Sequence, residues 1–135
     1  MLMQSGIKKD TLGAPAQIDA FPQTTVAVGI VVAQAVVASA DANGKKIAKA
    51  GTPLHGDLTA RTTAFVKAAD DSTGSAGDGK PAVGVLLHDV DLTAGAANAT
   101  LMIGGWVDLK KVDATTAALI TATRKSELNM IGFIK

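Results

Sequence analysis

The stretch from Ala48 to Leu92 constrains this chain most, because turn and strand signals alternate along it with little between them. It opens on Ala50-Gly51-Thr52-Pro53-Leu54 and closes on Pro81 to Leu92, which includes the continuous apolar run Ala82-Val83-Gly84-Val85-Leu86-Leu87. Pro53 drives Thr52 into an extended conformation, so Gly51 to Leu54 turns the chain into a new element. Thr62 to Lys67 reads as a short strand, and Asp70 to Lys80 has the Asp, Ser and Gly content of a surface loop. Gly84 sits inside the apolar run, where a second backbone approaches closely. This pattern describes a compact β unit rather than a reaction centre.

The flanks extend it. In Val26 to Val32, Val26, Val28, Ile30 and Val32 share one face, and Ala27, Gly29 and Val31 share the other. Both faces are apolar, which predicts burial on both sides, by the core or by a neighbouring subunit. Asp41-Ala42-Asn43-Gly44 supplies an Asn-Gly turn, and Lys45 to Ala50 is the expected partner strand of a hairpin with Thr24 to Ala38. Beyond Leu92, strands are predicted over Ala99–Ile103 and Trp106–Leu109, joined through Gly104-Gly105. Asp113 caps a helix expected from Ala114 to about Leu128, and Met130 to Ile134 is a terminal strand. Residues 1–23 are broken by Gly6, Gly13, Pro15 and Pro22 and read as an extended N-terminal arm. Residues 24–135 form one β-dominated α+β domain, sandwich- or barrel-like, with a short C-terminal helix.

Composition excludes several function classes. There is no cysteine, which removes disulfides, thiolate nucleophiles and Cys-ligated zinc. Net charge is +1 with no basic stripe, which argues against nucleic acid as a partner. The apolar stretch Val26 to Val37 is followed by Ala38-Ser39-Ala40, an imitation of a signal-peptidase site. It lies about 25 residues in, behind Asp10, Asp19 and Pro22, and falls short of the roughly 20 residues that span a bilayer. A buried strand is the preferred reading over a leader or membrane segment.

The polar candidates are few. His55 and His88 are the two histidines, with Asp57, Asp89 and Asp91 as nearby acids. His88 and Asp91 fall on opposite faces of a strand, a poor arrangement for joint ligation, and His55 lies in a turn beside Gly56. Asp70 to Lys80 is oxygen-rich but lacks the calcium-loop order, and Gly74 to Gly79 lacks the ending of a phosphate loop. The serines have no nucleophile-elbow setting. No cofactor, metal or catalytic group is expected, and an enzyme is not the preferred reading.

In order and spacing, the chain resembles the head-decoration proteins of lambda-like tailed phages. The resemblance rests on Ala50-Gly51-Thr52-Pro53-Leu54, Ala82-Val83-Gly84-Val85-Leu86, Ala99-Thr100-Leu101, Gly104-Gly105-Trp106, Asp113 to Leu128 and Ile131 to Ile134, and covers about two thirds of the chain. It implies a β-tulip-like, non-enzymatic homotrimer on the outer surface of the virion head. There it would hold the major capsid protein at local three-fold positions and stabilise the expanded shell. On that reading Gln4, Ile7, Leu12, Ile18 and Phe21 are capsid-binding anchors of the arm, and Val26, Val28, Ile30, Val32 and Trp106 form the subunit interface. Deleting residues 1–20 is then expected to leave a folded oligomer that no longer binds heads. The alternative is a secreted or surface-exposed module that binds a host surface or carbohydrate.

Overall fold

The computed structural model describes residues 18–69 and 79–135. Eight strands occur among them: β1 (Val26–Val32), β2 (Ile47–Ala48), β3 (Pro53–His55), β4 (Val66–Lys67), β5 (Gly84–Leu86), β6 (Val90–Asp91), β7 (Ala97–Asp108) and β8 (Ile131–Ile134). Two short helices, α1 (Ala114–Ala117) and α2 (Ala122–Glu127), lie between β7 and β8. The main sheet has the order β1-β7-β5-β3-β4, with β8 also paired to β7; β2 and β6 form a separate two-stranded ribbon. The chain is a small β-dominated α+β domain.

The centre of the sheet explains the apolar runs. Val85 and Met102 pack in one core cluster, with Ile18, Val107, Val112, Ile120, Leu128 and Ile131. Their chain neighbours Leu86 and Leu101 pack in another, with Ile30, Val32, Leu54, Phe65 and Leu92. Successive strand residues point to opposite faces, so β5 and β7 are covered on both. That is why Ala82 to Leu87 is apolar without alternation. Gly84 allows the close approach expected of it: a Cβ there would lie 2.6 Å from the Met102 carbonyl oxygen and 2.7 Å from Leu101 Cγ. The two segments singled out in the sequence are direct neighbours, with Pro53 opposite Val85 and Leu54 opposite Gly84.

Four expectations are corrected. The predicted hairpin does not form: β1 pairs with β7, and β2 pairs with β6. The Asn-Gly turn is present, with Gly44 at φ +75 and Asp41 N–H donating to the Lys45 carbonyl at 2.8 Å. Its lysine-rich exit, however, offers two strand residues and little apolar surface, whereas β7 lays Ala99, Leu101 and Ile103 beside β1. The two strands predicted around Gly104-Gly105 are one, β7, in which a bulge shifts the register between Val26 and Ala27. The single predicted helix is two. Asp113 caps α1 as expected, accepting from Thr116 N–H at 3.4 Å, but Thr121 starts α2 afresh by accepting from Arg124 N–H at 3.3 Å.

The fourth correction concerns the arm. Ile18 is 0 % exposed and belongs to the core, while Asp108 N–H donates to the Ile18 carbonyl at 2.8 Å and Ala20 N–H to the Trp106 carbonyl at 2.9 Å. Residues 18–25 therefore belong to the domain, and Ile18 is not free to anchor a partner. The reason is physical. A lone Ile beside a bare stretch of strand edge gains both a buried side chain and backbone hydrogen bonds by docking. A deletion through residue 20 would remove core, so a cut that tests the arm has to stop at residue 17. Gln4, Ile7 and Leu12 lie outside the described residues.

β8 runs parallel to β7, with Trp106 opposite Gly132. A parallel neighbour requires a crossover of a dozen or more residues, and residues 109–130, with α1 and α2, are that crossover. Among the described residues no helix is long and apolar enough to cross a membrane.

Candidate interaction surface

His55 and the three nearby acids are occupied by local structure. His55 Nδ1 lies 2.8 Å from the Pro81 carbonyl, which can only accept, so that nitrogen carries the proton. Asp57 accepts from both the hydroxyl and the N–H of Thr59, and these bonds hold its carboxyl below the usual carboxylate range. Asp91 is held down by Thr93 in the same way. Asp89 accepts from Ala50 N–H at 2.7 Å and sits 3.7 Å from Lys49 Nζ. His88 is exposed in a bend after β5. Among the described residues neither histidine is hydrogen-bonded to an acid or hydroxyl, and no three His, Asp or Glu side chains are placed to hold a metal ion. The loop over residues 70–78 lies outside the described residues.

An apolar surface is built around Gly104-Gly105 instead. Gly105 has φ +125, and a Cβ on it would stand 2.8 Å from Met102 Cε, 3.2 Å from Thr25 Cα and 3.3 Å from the Thr24 carbonyl oxygen. Only glycine admits Thr24 and Thr25 this close. That segment is tied down in turn. Thr25 Oγ1 donates to Asp19 Oδ2 at 2.8 Å, and both the N–H and the hydroxyl of Thr24 donate to the Phe21 carbonyl at 2.9 Å. Phe21 is thereby placed edge-on to Trp106, with ring centroids 6.3 Å apart and planes at 85°. This is a favoured geometry for two aromatic quadrupoles.

Trp106 owes its position to Gly132. A Cβ at Gly132 would lie 2.4 Å from Cε3 and Cζ3 of the indole, so the ring rests on bare β8 backbone. Val26 packs beside Gly104, and the Met130 carbonyl accepts from Gly105 N–H at 3.2 Å. Phe21 is 51 % exposed, Val26 54 %, Trp106 45 % and Met130 74 %. Of the five large apolar residues exposed among the described residues, Leu58 is the one outside this area. A hollow of about 380 Å³ lined by Ala20, Phe21, Gln23 and Thr24 adjoins the aromatic pair.

The predicted interface residues thus separate. Val26 and Trp106 lie on this surface and Phe21 joins them, while Val28 is half-buried against the second core cluster. Ile30 and Val32 are corrected: they are buried within the chain and cannot meet a neighbouring subunit. Beyond Gly29 the outer edge of β1 is covered by its own chain, with Val31 N–H donating to the Arg61 carbonyl at 3.3 Å and Phe65 N–H to the Val31 carbonyl at 2.7 Å. Sequence reasoning missed Met130 and the Phe21–Trp106 pair. The one available signal was Gly132 inside an otherwise apolar strand, a mark of close approach.

No family model matches the chain, and no curated protein does. The surface has to be read from its chemistry. A rigid aromatic pair with aliphatic neighbours, half exposed and held in place before any partner arrives, has the character of an interaction hot spot. Trp106 is the single tryptophan, so its fluorescence reports on this surface alone. Gly132→Ala is expected to lift the indole from β8, moving the emission maximum toward that of free tryptophan while the far-ultraviolet circular dichroism stays unchanged. An unshifted maximum would show that β8 does not seat the ring.

Proposed function

We propose that this chain is a structural, non-enzymatic head-decoration protein of a tailed phage. It would associate as a trimer and bind the major capsid protein on the outside of the expanded shell, at local three-fold positions. The observation that carries the reading is the preorganised surface of Phe21, Val26, Trp106 and Met130, which supplies the contact between copies. The order of motifs in the sequence supports it, and so does the position of Ile18. Its carbonyl accepts from Asp108 N–H, two residues along the strand from Trp106. An arm carrying Gln4, Ile7 and Leu12 therefore starts beside the surface where copies meet, and reaches the shell by strand addition.

Light scattering on the full chain is expected to give about 41 kDa, three times the 13.6 kDa of one copy. Trp106→Ala is expected to weaken the trimer by about 2 kcal/mol or more, the size of a hot-spot loss. A chain lacking residues 1–17 is expected to stay folded and trimeric but to lose binding to expanded heads in a sedimentation assay. Undiminished head binding by that truncated chain would remove the arm from the proposal, and a wild-type monomer at all concentrations would remove the trimer. The exposed indole also favours the second reading, a module that stacks on a sugar ring or host surface. Glycan binding abolished by Trp106→Ala would select it.

A further inference from the structure

We infer that Asn43 is the site at which this chain deamidates spontaneously, and that the Asp41 side chain sets the rate. Asn43 is followed by Gly44, and both are exposed at the tip of a turn. In the reaction the Gly44 backbone nitrogen gives its proton to solvent and attacks Asn43 Cγ. A C–N bond forms, the Cγ–Nδ2 bond breaks, and ammonia leaves from a five-membered succinimide. Water then opens either ring C–N bond, giving aspartate or isoaspartate, and nothing is oxidised or reduced. A glycine nitrogen is the least hindered nucleophile for this step because no Cβ flanks it. The other two asparagines lack that advantage: Asn98 precedes Ala99 inside β7, opposite Val31, and Asn129 precedes Met130.

The turn opposes the attack. Gly44 N–H donates to the Asp41 carbonyl at 3.0 Å, so the nitrogen has to leave that bond and rotate before it can reach Cγ. Asp41 Oδ1 accepts from Asn43 N–H at 2.8 Å and from Lys45 N–H at 3.0 Å, which pins the backbone on both sides of the reacting pair. The same bonds, that from Lys45 first, keep the Asp41 carboxyl below its ordinary range and therefore ionised at neutral pH. Isoaspartate would add a carbon to the backbone at the turn. Just beyond it, Lys46 N–H is anchored to Thr93 Oγ1 at 2.9 Å and Ile47 is paired with Asp91. The modification would therefore strain the β2–β6 ribbon first.

The test is to incubate the folded full chain and its Asp41→Ala variant at neutral pH, then digest with trypsin. Cleavage after Lys9 and Lys45 isolates Asn43 in a peptide without Asn98 or Asn129. The mass gain from amide to acid is expected in that peptide ahead of the other two. Asp41→Ala is expected to raise its rate about tenfold, the kinetic equivalent of losing one hydrogen bond to a charged group. Fluorescence of Trp106 under both conditions confirms that the variant remains folded. Equal rates at Asn43 and Asn98, or an Asp41→Ala rate equal to wild type, would overturn the inference.

Discussion

Phe65→Ala is expected to cost about 3–5 kcal/mol of folding stability, the usual range for emptying a buried aromatic site. Domains of this size have only about 5–15 kcal/mol in total, so the variant should sit near the edge of folding. Phe65 is fully buried, among the side chains of the second core cluster. Gly56 folds directly over it: a Cβ there would lie 2.4 Å from Cδ2 of the ring. The backbone around it is already fixed to β1, with Phe65 N–H donating to the Val31 carbonyl at 2.7 Å. Its surroundings cannot collapse freely into the space left behind, which places the cost in the upper part of the range. Urea unfolding checks this through a lower midpoint at unchanged slope. A loss below about 1 kcal/mol would mean that the cavity closes and that the packing around Gly56 is soft.

Glu127→Ala is the second large effect, expected at about 1–3 kcal/mol, because it removes one carboxylate from the buried Arg124 and takes the acceptor from Ala82 N–H. One carboxylate oxygen, Oε1, accepts from the Arg124 guanidinium and, at 3.1 Å, from Ala82 N–H. Arg124 is buried while Glu127 is partly open to solvent, so water recovers some of the loss and holds it below that of a fully buried pair. This contact ties the end of α2 to the start of the apolar strand at Ala82. Glu127→Gln retains an acceptor for Ala82 and should recover part of the stability. Thermal unfolding of the two variants side by side separates charge from packing: Glu127→Gln keeps the volume and an acceptor but not the charge, so full recovery by it would show that the charge contributes nothing.

Much of the fold was readable because local chemistry decides it. The Asn-Gly turn, the cap at Asp113, the glycine inside the strand at Gly84 and the terminal strand each depend on residues close in sequence. Strand pairing depends on what each edge finds elsewhere, and Lys45 to Ala50 finds Val90–Asp91 although the local signals point to β1. The break between the helices was present as Thr121, whose hydroxyl offers a new cap, but a continuous run of helix formers around it masked the signal. The surface around Trp106 was half legible. Val26 and Trp106 stood out as apolar residues, yet their union with Phe21 depends on a dipeptide of glycines bringing together segments 85 residues apart (21 and 106). Ile18 shows the converse: one isolated apolar residue looks like part of an arm until an unoccupied strand edge is there to receive it.

The placement of β5 and β7 between two core clusters has a further consequence. Leu101 and Met102 are adjacent in the chain but support different cores, so the same backbone is a wall of both. Disordering one compartment removes the floor of its neighbour, so the two are expected to melt together. Cooperativity in this chain is thus carried by a shared partition. Damage at Phe65 on one side and at Glu127 on the other should be felt as the weakening of one indivisible unit.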